Sequence, residues 1–397
     1  MRVLIAGIDG YLGWALALYL TNRGHDVAGI DGYMRRDWVA EMGGASATPI
    51  RRMTERLQAF NETFRKPLIF RRGDIMDYNV VRSVFRSFKP DTIVHLAEMP
   101  SAPYSMIDVD HCVYTQTNNM VGTLNILHAM RDECPDAHLL KLGTMGEYGT
   151  PNVDIPEGMF ELEFRGRKQE VMFPRTPGSW YHQSKVHDTD NVIMACRLWG
   201  LRSTDIMQGV VYGTRIDEMG DDPRLITRFD YDQSFGTAIN RFCAQAVVGY
   251  PITPYGKGKQ RRGFLPLRDS MQCLTLATEN PPEAGEYRVF NQFEEVYNVT
   301  DLAQKVAKVA SQMGMDPTIR RIENPRQEDE DNYYNPDHQK LLDLGYKPTT
   351  DMEGELKILL SDLVANRDRI AAHAHTLTPD VRWDGSRREC VYLDDDE

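Results

Sequence analysis

Short apolar runs alternate with amphipathic stretches along the first half of the chain. Five of the apolar runs have the character of buried strands, and they lie at residues 3–6, 26–30, 68–70, 92–96 and 138–142. Helical spacing of apolar positions separates them, most clearly at residues 12–23, 78–88 and 122–132. Strands that alternate with helices predict βαβ units, and therefore an α/β fold whose parallel sheet is covered on both faces.

The pattern becomes less regular after Tyr148, where Pro, Gly and charged residues are common. Further elements are predicted there as a strand at residues 204–211 and helices at residues 240–248 and 302–313. Earlier in the chain, residues 33–67 are too many for a simple connection, and residues 54–60 within them have helical spacing.

These elements predict a Rossmann-type doubly wound parallel sheet with a smaller C-terminal α/β lobe. We assign residues 1–210 mainly to the sheet domain, with an inserted helical segment at about 33–67. Residues 211–382 are assigned mainly to the lobe, with returns to the sheet domain, and residues 383–397 to an acidic tail.

Composition narrows the possible functions of a globular chain of this size. The 46 basic and 58 acidic side chains give a net charge of −12, which argues against sequence-independent binding of nucleic acid. No apolar run approaches the roughly 20 residues of a membrane helix, and no signal-peptide pattern begins the chain. The six cysteines are scattered without a C-x-x-C pair, which indicates reduced thiols. We therefore expect a cytoplasmic protein that binds neither nucleic acid nor membrane.

Three glycines, Gly7, Gly10 and Gly13, follow the first predicted strand and open a helix. Glycine at these positions permits a tight turn and the close approach of a pyrophosphate to a helix N-terminus. Asp31 closes the second strand about 20 residues later, where a carboxylate accepts hydrogen bonds from the ribose hydroxyls. The motif predicts a site for NAD, which also includes the residues between the glycines, Asp9, Tyr11 and Leu12.

Other residues near this motif are weaker candidates for the cofactor site. Arg35 and Arg36 lie shortly after Asp31 and could accommodate NADP, but Asp31 favours NAD. Asp74, followed by Ile75, comes after the third strand and could meet the adenine amino group or simply cap a helix. Asn119 could support the cofactor as a strand-end amide, or it could be structural.

Tyr181 and Lys185 are four residues apart at the start of a helical stretch that runs to Trp199, so they share one helical face. A free tyrosine is a poor base because its pKa is about 10, and a neighbouring ammonium favours the phenolate. Thr144 ends a predicted strand and could share a substrate hydroxyl proton with Tyr181. Together with the glycine motif, these residues predict the oxidation of a secondary alcohol by NAD. The histidines show no metal-ligand spacing, so we expect no metal.

These motifs resemble the extended short-chain dehydrogenase/reductases that act as nucleotide-sugar epimerases and dehydratases. Longer strings resemble the UDP-sulfoquinovose synthase family within that group, and the resemblance spans nearly the whole chain. The strings include Ser101-Ala102-Pro103-Tyr104-Ser105, Leu142-Gly143-Thr144-Met145-Gly146-Glu147-Tyr148-Gly149, Lys185-Val186-His187-Asp188, Gln208-Gly209-Val210-Val211-Tyr212-Gly213 and Asn324-Pro325-Arg326.

The resemblance implies a reaction in which C4 of UDP-glucose is oxidised, water is eliminated across C5–C6, sulfite adds at C6, and the hydride returns to C4. It implies roles for Thr144, Tyr181 and Lys185 at C4, for Met145 and His182 near C5 and C6, and for Val211 against NAD. It also implies homodimerisation through paired helices. The implied substrate contacts, besides Thr144 and Tyr181, are Gln208, Asn240, Arg241, Thr253, Tyr255, Arg262, Arg326 and Glu328. Arg262 and Arg326 suit a diphosphate, because a guanidinium pairs bidentately with phosphate oxygens.

Two departures from the family leave the outcome of the reaction open. The family has Gln-Arg before Ser101, where this chain has Met99-Pro100, so a cation beside the reacting carbon is missing. Residues 258–263 also carry more charge than the family pattern. The main alternative is therefore an NDP-sugar 4-epimerase, followed by a 5,6- or 4,6-dehydratase. A non-catalytic NAD-binding regulator is a further alternative, because fold alone does not determine function.

Overall fold

Strands and helices alternate through the computed structural model, which describes residues 1–329 and 331–393. The strands span Arg2–Ala6 (β1), Asp26–Asp31 (β2), Ile69–Arg72 (β3), Thr92–His95 (β4), His138–Thr144 (β5), Met159–Phe164 (β6), Arg167–Met172 (β7), Arg202–Gln208 (β8), Val210–Tyr212 (β9), Arg261–Pro266 (β10), Tyr287–Gln292 (β11) and Glu295–Asn298 (β12). The α-helices span Tyr11–Asn22 (α1), Met34–Glu41 (α2), Met53–Phe64 (α3), Tyr78–Phe88 (α4), Ala102–Ser105 (α5), Val109–Glu133 (α6), Trp180–Trp199 (α7), Ala238–Val248 (α8), Leu267–Glu279 (α9), Val299–Gln312 (α10), Gln339–Asp343 (α11), Met352–Ala365 (α12) and Arg367–Ala371 (α13).

Seven of the strands form one parallel sheet in the order β11-β8-β5-β4-β1-β2-β3. Alternate side chains of β1 enter different cores, because successive residues of a strand point to opposite faces. Val3 and Ile5 pack with α1 and α9, whereas Leu4 and Ala6 pack with α4, α6 and α7. Helices therefore cover both faces of the sheet, and the predicted doubly wound α/β fold is confirmed.

The long helix between β4 and β5 begins well before the predicted residues 122–132. Asp108 accepts a hydrogen bond from the His111 N–H and caps α6, which then runs for 25 residues. Polar residues are frequent in its first half, so the apolar pattern identified only its second half.

The single strand predicted at residues 204–211 is in fact two strands. β8 ends at Gln208 in the large sheet, and β9 begins at Val210 in a separate three-stranded sheet of order β12-β10-β9. Gly209 makes this change of sheet, and a Cβ there would lie 2.7 Å from the Gly263 carbonyl oxygen. Apolar residues continue through the junction because both strands are buried, so the pattern alone does not show the break.

An antiparallel hairpin of β6 and β7 interrupts the alternation after β5, and the pattern of apolar positions does not predict it. Its turn is Arg165-Gly166, and both residues have positive φ, at 53° and 74°. Most side chains of the hairpin are exposed, so neither face has the apolar alternation that predicts a half-buried strand.

The smaller lobe has its own core, formed mainly by α8, α10 and α12 around the three-stranded sheet. Residues 383–393, assigned from the sequence to an acidic tail, lie against this lobe: Tyr392 pairs with Ile322, and Cys390 is buried. The acidic residues 394–397 lie outside the described part of the chain.

Candidate functional site

A cleft with two connected parts lies between the carboxyl ends of the parallel strands and the smaller lobe. The glycine-side part is a cavity of about 370 Å³ bounded by the turn at residues 7–13, Asp31 and Asp74. The lobe-side part is a cavity of about 420 Å³ bounded by His182, Arg241 and Arg326. Both volumes are within the range of small-molecule sites.

Three predicted residues lie in the walls of both parts. Thr144 ends β5, Tyr181 is in the first turn of α7, and Gln208 ends β8. The carboxyl ends of parallel strands at a change in strand order are where α/β folds bind ligands. A reaction centre at Thr144 and Tyr181 would therefore be reached from both parts of the cleft.

The glycine turn is packed so closely against neighbouring backbone that a side chain at Gly7 or Gly13 would collide with it. Gly7 has φ of +90°, and a Cβ there would lie 2.8 Å from the Leu96 carbonyl carbon. A Cβ at Gly13 would overlap the Gly7 carbonyl oxygen, so helix α1 can start close to the strand only with glycine there. The N-terminus of α1 therefore opens onto the cavity, as a pyrophosphate-binding turn requires.

Asp31 is held at the end of β2 by two backbone N–H groups. Its carboxylate oxygens accept hydrogen bonds from Tyr33 N–H at 2.6 Å and Asp9 N–H at 2.8 Å. Burial and the nearby Asp9 carboxylate raise the pKa of Asp31 to about 6. At neutral pH the side chain is ionised and can accept further hydrogen bonds from ribose hydroxyls.

Neither predicted arginine is placed to receive a 2′-phosphate. Arg35 lines the cavity, but its guanidinium is bound to Asp230 at 2.8 Å. Arg36 does not line the cavity, and both its Nε and Nη2 bind Asp9, at 2.6 and 2.7 Å. Because buried carboxylates already hold both cations, the residues present fit NAD better than NADP.

The structure brings most of the predicted cofactor residues into the glycine-side wall. The predicted residues in that wall are Gly7, Gly10, Tyr11, Leu12, Gly13, Asp31, Arg35, Asp74, Ile75, Tyr181 and Val211. Asp9 and Asn119 lie behind it. Asn119 is in helix α6, not at a strand end, and its amide holds the main chain of Met99 at 2.8 and 3.2 Å. Asn119 thus fixes the segment that carries Pro100.

Two residues that carry hydroxyl groups are held at the junction of the two parts. Thr144 begins a 3-10 turn in which its Oγ1 accepts a hydrogen bond from Gly146 N–H and its own N–H donates to Glu147. Ser179 caps α7, and Ser105 accepts a hydrogen bond from Tyr181 N–H at 3.0 Å. These contacts place Thr144 and Tyr181 before any ligand binds.

Lys185 is buried one helical turn beyond Tyr181 and forms an ion pair with Glu98. Burial lowers the pKa of Lys185, but Glu98 and then Asp188 raise it, so the side chain stays an ammonium. The pKa of Tyr181 is raised by its burial and by Glu98 and Glu147. Contrary to the sequence-based expectation, the ammonium beside Tyr181 is balanced by a carboxylate, and the resting tyrosine is a phenol.

His182 lies beside Tyr181 with its ring centre 5.0 Å from the tyrosine ring centre. Burial, together with Arg326 and Arg262, lowers the pKa of His182 to about 3, so the ring is neutral at neutral pH. Ser179 Oγ accepts the backbone N–H of His182 and lies 2.9 Å from Nδ1. When this hydroxyl donates to Nδ1, the ring carries its proton on Nε2.

Arginines dominate the lobe-side part. Arg262 is paired with Glu328 at 2.6 Å, Arg241 lies over the Tyr255 ring at 4.7 Å, and Arg326 lies over the Trp383 ring at 5.4 Å. No carboxylate of the described residues forms an ion pair with Arg241 or with Arg326. This part of the cleft can therefore bind an anionic group such as a diphosphate.

The remaining predicted substrate residues are placed in different ways. Met145 and His182 lie in the lobe-side wall with Arg241, Tyr255, Arg262, Arg326 and Glu328. Asn240 lines the glycine-side part instead. Thr253 is fully buried behind the wall, where it bonds Gln245, so its side chain supports the site without lining it.

Several residues of the cleft were not predicted from the sequence. Glu98, Gln260 and Trp383 line it. Glu98 comes three residues after β4, and its strand-end position was the available signal. Gln260 is 2% exposed, and both polar atoms of its side chain lack a hydrogen-bond partner among the described residues, so it could pair with a ligand. Trp383 lies in the segment assigned to the tail and had no such signal.

Two kinds of site are not found in the described ranges. Within residues 1–329 and 331–393, no three His, Cys, Asp or Glu side chains form a group that could hold a metal ion. Among the helices of the same ranges, none has the length and apolar character needed to cross a membrane.

Comparison with known proteins gives consistent matches over most of the chain. Residues 3–292 match the NAD dependent epimerase/dehydratase family. The chain is 47% identical to a UDP-sulfoquinovose synthase from Sulfolobus acidocaldarius over 96% of its own length and 98% of the relative. It is 46% identical to the chloroplastic UDP-sulfoquinovose synthase of Spinacia oleracea, over 96% of its length and 79% of the relative.

A solved structure also shares the fold. The UDP-glucuronic acid 4-epimerase from Bacillus cereus, in complex with UDP-glucuronic acid and NAD, superposes with a TM-score of 0.68 and 19% identity. The match covers 91% of this chain and 99% of that one.

Proposed function

The chain belongs to the NAD dependent epimerase/dehydratase family, and we propose that it converts UDP-glucose and sulfite into UDP-sulfoquinovose. One observation carries the proposal. Thr144, Met145, Tyr181 and His182, which the resemblance assigns to C4, C5 and C6, lie together on one wall of the cleft. The near full-length identity to two UDP-sulfoquinovose synthases supports the same reaction.

The first step proposed for this site acts on C4 of the sugar. NAD, when bound in the glycine-side part, supplies the hydride acceptor and later the donor. Thr144 and Tyr181 hold the C4 hydroxyl between them, and its proton passes to the oxygen of Tyr181 as the C4–H bond breaks. The Tyr181 phenol must first release its own proton to solvent, and the Lys185 ammonium favours that release.

The second step acts on C5 and C6. A ketone at C4 acidifies the C5 proton. That proton passes to solvent, the C6 hydroxyl takes up a proton and leaves as water, and a C5–C6 double bond forms. His182 is neutral in this site, and its Nε2–H is suited to donate a hydrogen bond to the leaving C6 oxygen. Sulfite sulfur then adds at C6 while C5 takes a proton, and return of the hydride and proton restores the C4 alcohol.

Sulfite must be held without the arginine that the family has at position 100. Pro100 lines both parts of the cleft and carries no charge. We propose that Arg241 and Arg326 provide the positive charge for diphosphate and sulfite together, because neither forms an ion pair with a carboxylate of the described chain. The lack of a positive charge at Pro100 favours the second candidate function, a 4-epimerase that does not use sulfite.

Proton NMR of the protein with NAD and UDP-glucose in deuterated water, with and without sulfite, distinguishes these functions. We expect deuterium at C5 in both samples and a C6-sulfonate only with sulfite. Appearance of the C4 epimer without C5 exchange would contradict the synthase and support the epimerase. Tyr181→Phe is the matched control, because it removes one hydroxyl and should stop both exchange and product formation.

We also propose that the protein is a homodimer. α6 and α7 pack side by side and leave apolar residues exposed, with Val109 and Val113 at 71% and 56%, and Met194 and Leu198 at 46% and 62%. A two-fold axis across this surface would place the start of α6 against the end of α7 in a second copy.

The six cysteines are all unpaired, which supports the cytoplasmic location inferred from the sequence.

A further inference from the structure

We propose that Glu98 is a positioning residue for the C4 chemistry, whose carboxylate holds the Lys185 ammonium and limits how strongly that charge draws the proton from Tyr181. This inference rests on the proposed function of the same site. Glu98 is not one of the residues assigned to C4, which are Thr144, Tyr181 and Lys185. Its carboxylate is a fourth side chain that sets the net charge beside the Tyr181 hydroxyl.

The position of Glu98 brings it to both the cofactor and the base. It follows the end of β4 by three residues and lines the glycine-side part of the cleft. Its side chain is only 5% exposed, and Oε2 is ion-paired with Lys185 Nζ. An ion pair this well buried is weakly screened by solvent, so removal of the carboxylate changes the field at Lys185 strongly.

No other cation competes for Glu98 in the described part of the chain. His95 Nε2 is 3.3 Å from Glu98 Oε1, but it also lies 3.1 Å from the Thr123 hydroxyl. Burial, with Lys185 and Lys141, lowers the pKa of His95 well below its usual value, so the ring is neutral. Lys185 is therefore the charged partner of Glu98.

A second carboxyl group on α7 lies near Lys185 without an ion pair to it. Asp188 is fully buried, and its burial and the nearby Glu98 raise its pKa well above the usual value, against the opposite effects of Lys185 and Lys141. Neither of its oxygens has a hydrogen-bond partner among the described residues, whereas Glu98 is ion-paired with Lys185. Glu98 is therefore the carboxylate that holds the ammonium.

The other charged groups around Tyr181 have partners of their own. Glu147 is paired with Arg175, Lys141 with Asp205, and Arg35 with Asp230. Glu147 raises the pKa of Tyr181 as Glu98 does, whereas Lys141 and Arg35 lower it. Replacement of Glu98 by a neutral side chain removes the carboxylate that is ion-paired with Lys185, so the positive charge one helical turn from the base acts more strongly on Tyr181.

This balance suits a reaction that removes a hydride and returns it in one turnover. A tyrosine that releases its proton too readily would favour the C4 ketone and slow the return step. With Glu98 in place, Tyr181 regains the proton easily and can give it back to the C4 oxygen. The carboxylate thus keeps the first and last steps of the cycle reversible.

The test is a pH titration of the protein as purified, with its NAD content measured. The near-ultraviolet absorbance of phenolate monitors the ionisation of tyrosine. In Glu98→Gln, one phenol should ionise about 1 to 3 pH units lower than in the wild type. The shifted phenol should be absent from the Glu98→Gln/Tyr181→Phe double variant. Glu98→Asp keeps the charge one methylene further from Lys185 and should give an intermediate value.

Asp188→Asn is the matched control, because it replaces a buried carboxyl on the helix of Lys185 that forms no ion pair with it. It should shift the phenol less than Glu98→Gln does. An unshifted phenol in Glu98→Gln, or an equal shift in Asp188→Asn, would overturn the proposal. If Glu98→Gln does not fold by circular dichroism, Glu98→Asp decides, and an unchanged or raised ionisation there would overturn it as well.

A second readout separates this inference from the proposed function. The titration needs no sugar nucleotide, so it reports on Glu98 even if the NMR experiment finds no sulfonate. With an active substrate, the acidic limb of the kcat profile should move to lower pH in Glu98→Gln and should move less in Asp188→Asn. A purely structural role for Glu98 would lower kcat without moving that limb.

Discussion

Binding of NAD should weaken as the pH falls from 7 to 5, because one carboxyl group in the cofactor site takes up a proton. Asp31 ends β2 in the wall of the glycine-side part, and burial and Asp9 raise its pKa to about 6. The ionised carboxylate accepts hydrogen bonds from ribose hydroxyls, whereas the protonated form has lost part of that capacity. NAD therefore binds the ionised form better, and acid opposes binding.

The size of the effect follows from the pKa. With a value of about 6, Asp31 is about 10% protonated at pH 7 and about 90% at pH 5. If NAD binds only the ionised form, binding at pH 5 releases about 0.9 proton and the affinity is about tenfold lower than at pH 7, or about 1.4 kcal/mol.

Calorimetric titration with NAD in two buffers of different ionisation enthalpy measures both quantities. Asp31→Asn should bind NAD without releasing a proton and with an affinity that does not change over this range. Asp74→Asn, on the neighbouring strand end of the same cavity, is the matched control and should keep the proton release. Absence of proton release from the wild type at pH 5, or its persistence in Asp31→Asn, would contradict the role of Asp31 as the group that couples NAD binding to pH.

Three further outcomes test the proposed chemistry and assembly. Tyr181→Phe should lower turnover at least about 100-fold while NAD affinity, measured by calorimetry, stays within about twofold; near wild-type turnover would exclude Tyr181 as the base. Gly146→Ala would place a methyl group against His182 Nε2, so C5 deuterium exchange by NMR should fall more than hydride transfer at C4; equal loss of both would argue against a C5–C6 role for this ring. Val113→Asp with Leu198→Asp should give a monomer in sedimentation velocity, whereas an intact dimer would place the interface elsewhere.

The regular part of the fold could be predicted from apolar periodicity. Helix α4 has the predicted bounds, at Tyr78–Phe88, because it has a strong apolar face and an Asp cap at residue 77. The junction at Gly209 could not be predicted, since it depends on pairing with β10, more than 50 residues away in the chain. The β6–β7 hairpin was missed for a different reason: it is exposed on both faces.

The residues of the candidate site also fall into those that the sequence predicts and those that it does not. Gly7, Asp31 and Tyr181 belong to local motifs whose chemistry depends on short spacing, and the structure places all three in the cleft wall. The state of the base could not be predicted, because Glu98 lies 87 residues before Lys185 and reaches it only through the packing of α7 on the sheet. Thr253 similarly lies behind the wall, since its hydroxyl serves Gln245.

The sheet domain and the lobe are joined by several short connections. β8 continues into β9 through Gly209 alone, β10 continues directly into α9, and β11 continues into β12 through residues 293 and 294. Several short connections restrict both twisting and bending of the lobe against the sheet. A large swing of the lobe is thus unfavourable, and ligands must enter and leave by movements of loops and side chains. Such a cleft would release a deeply seated dinucleotide slowly, so the same molecule would serve many turnovers, as a reaction with no net oxidation requires.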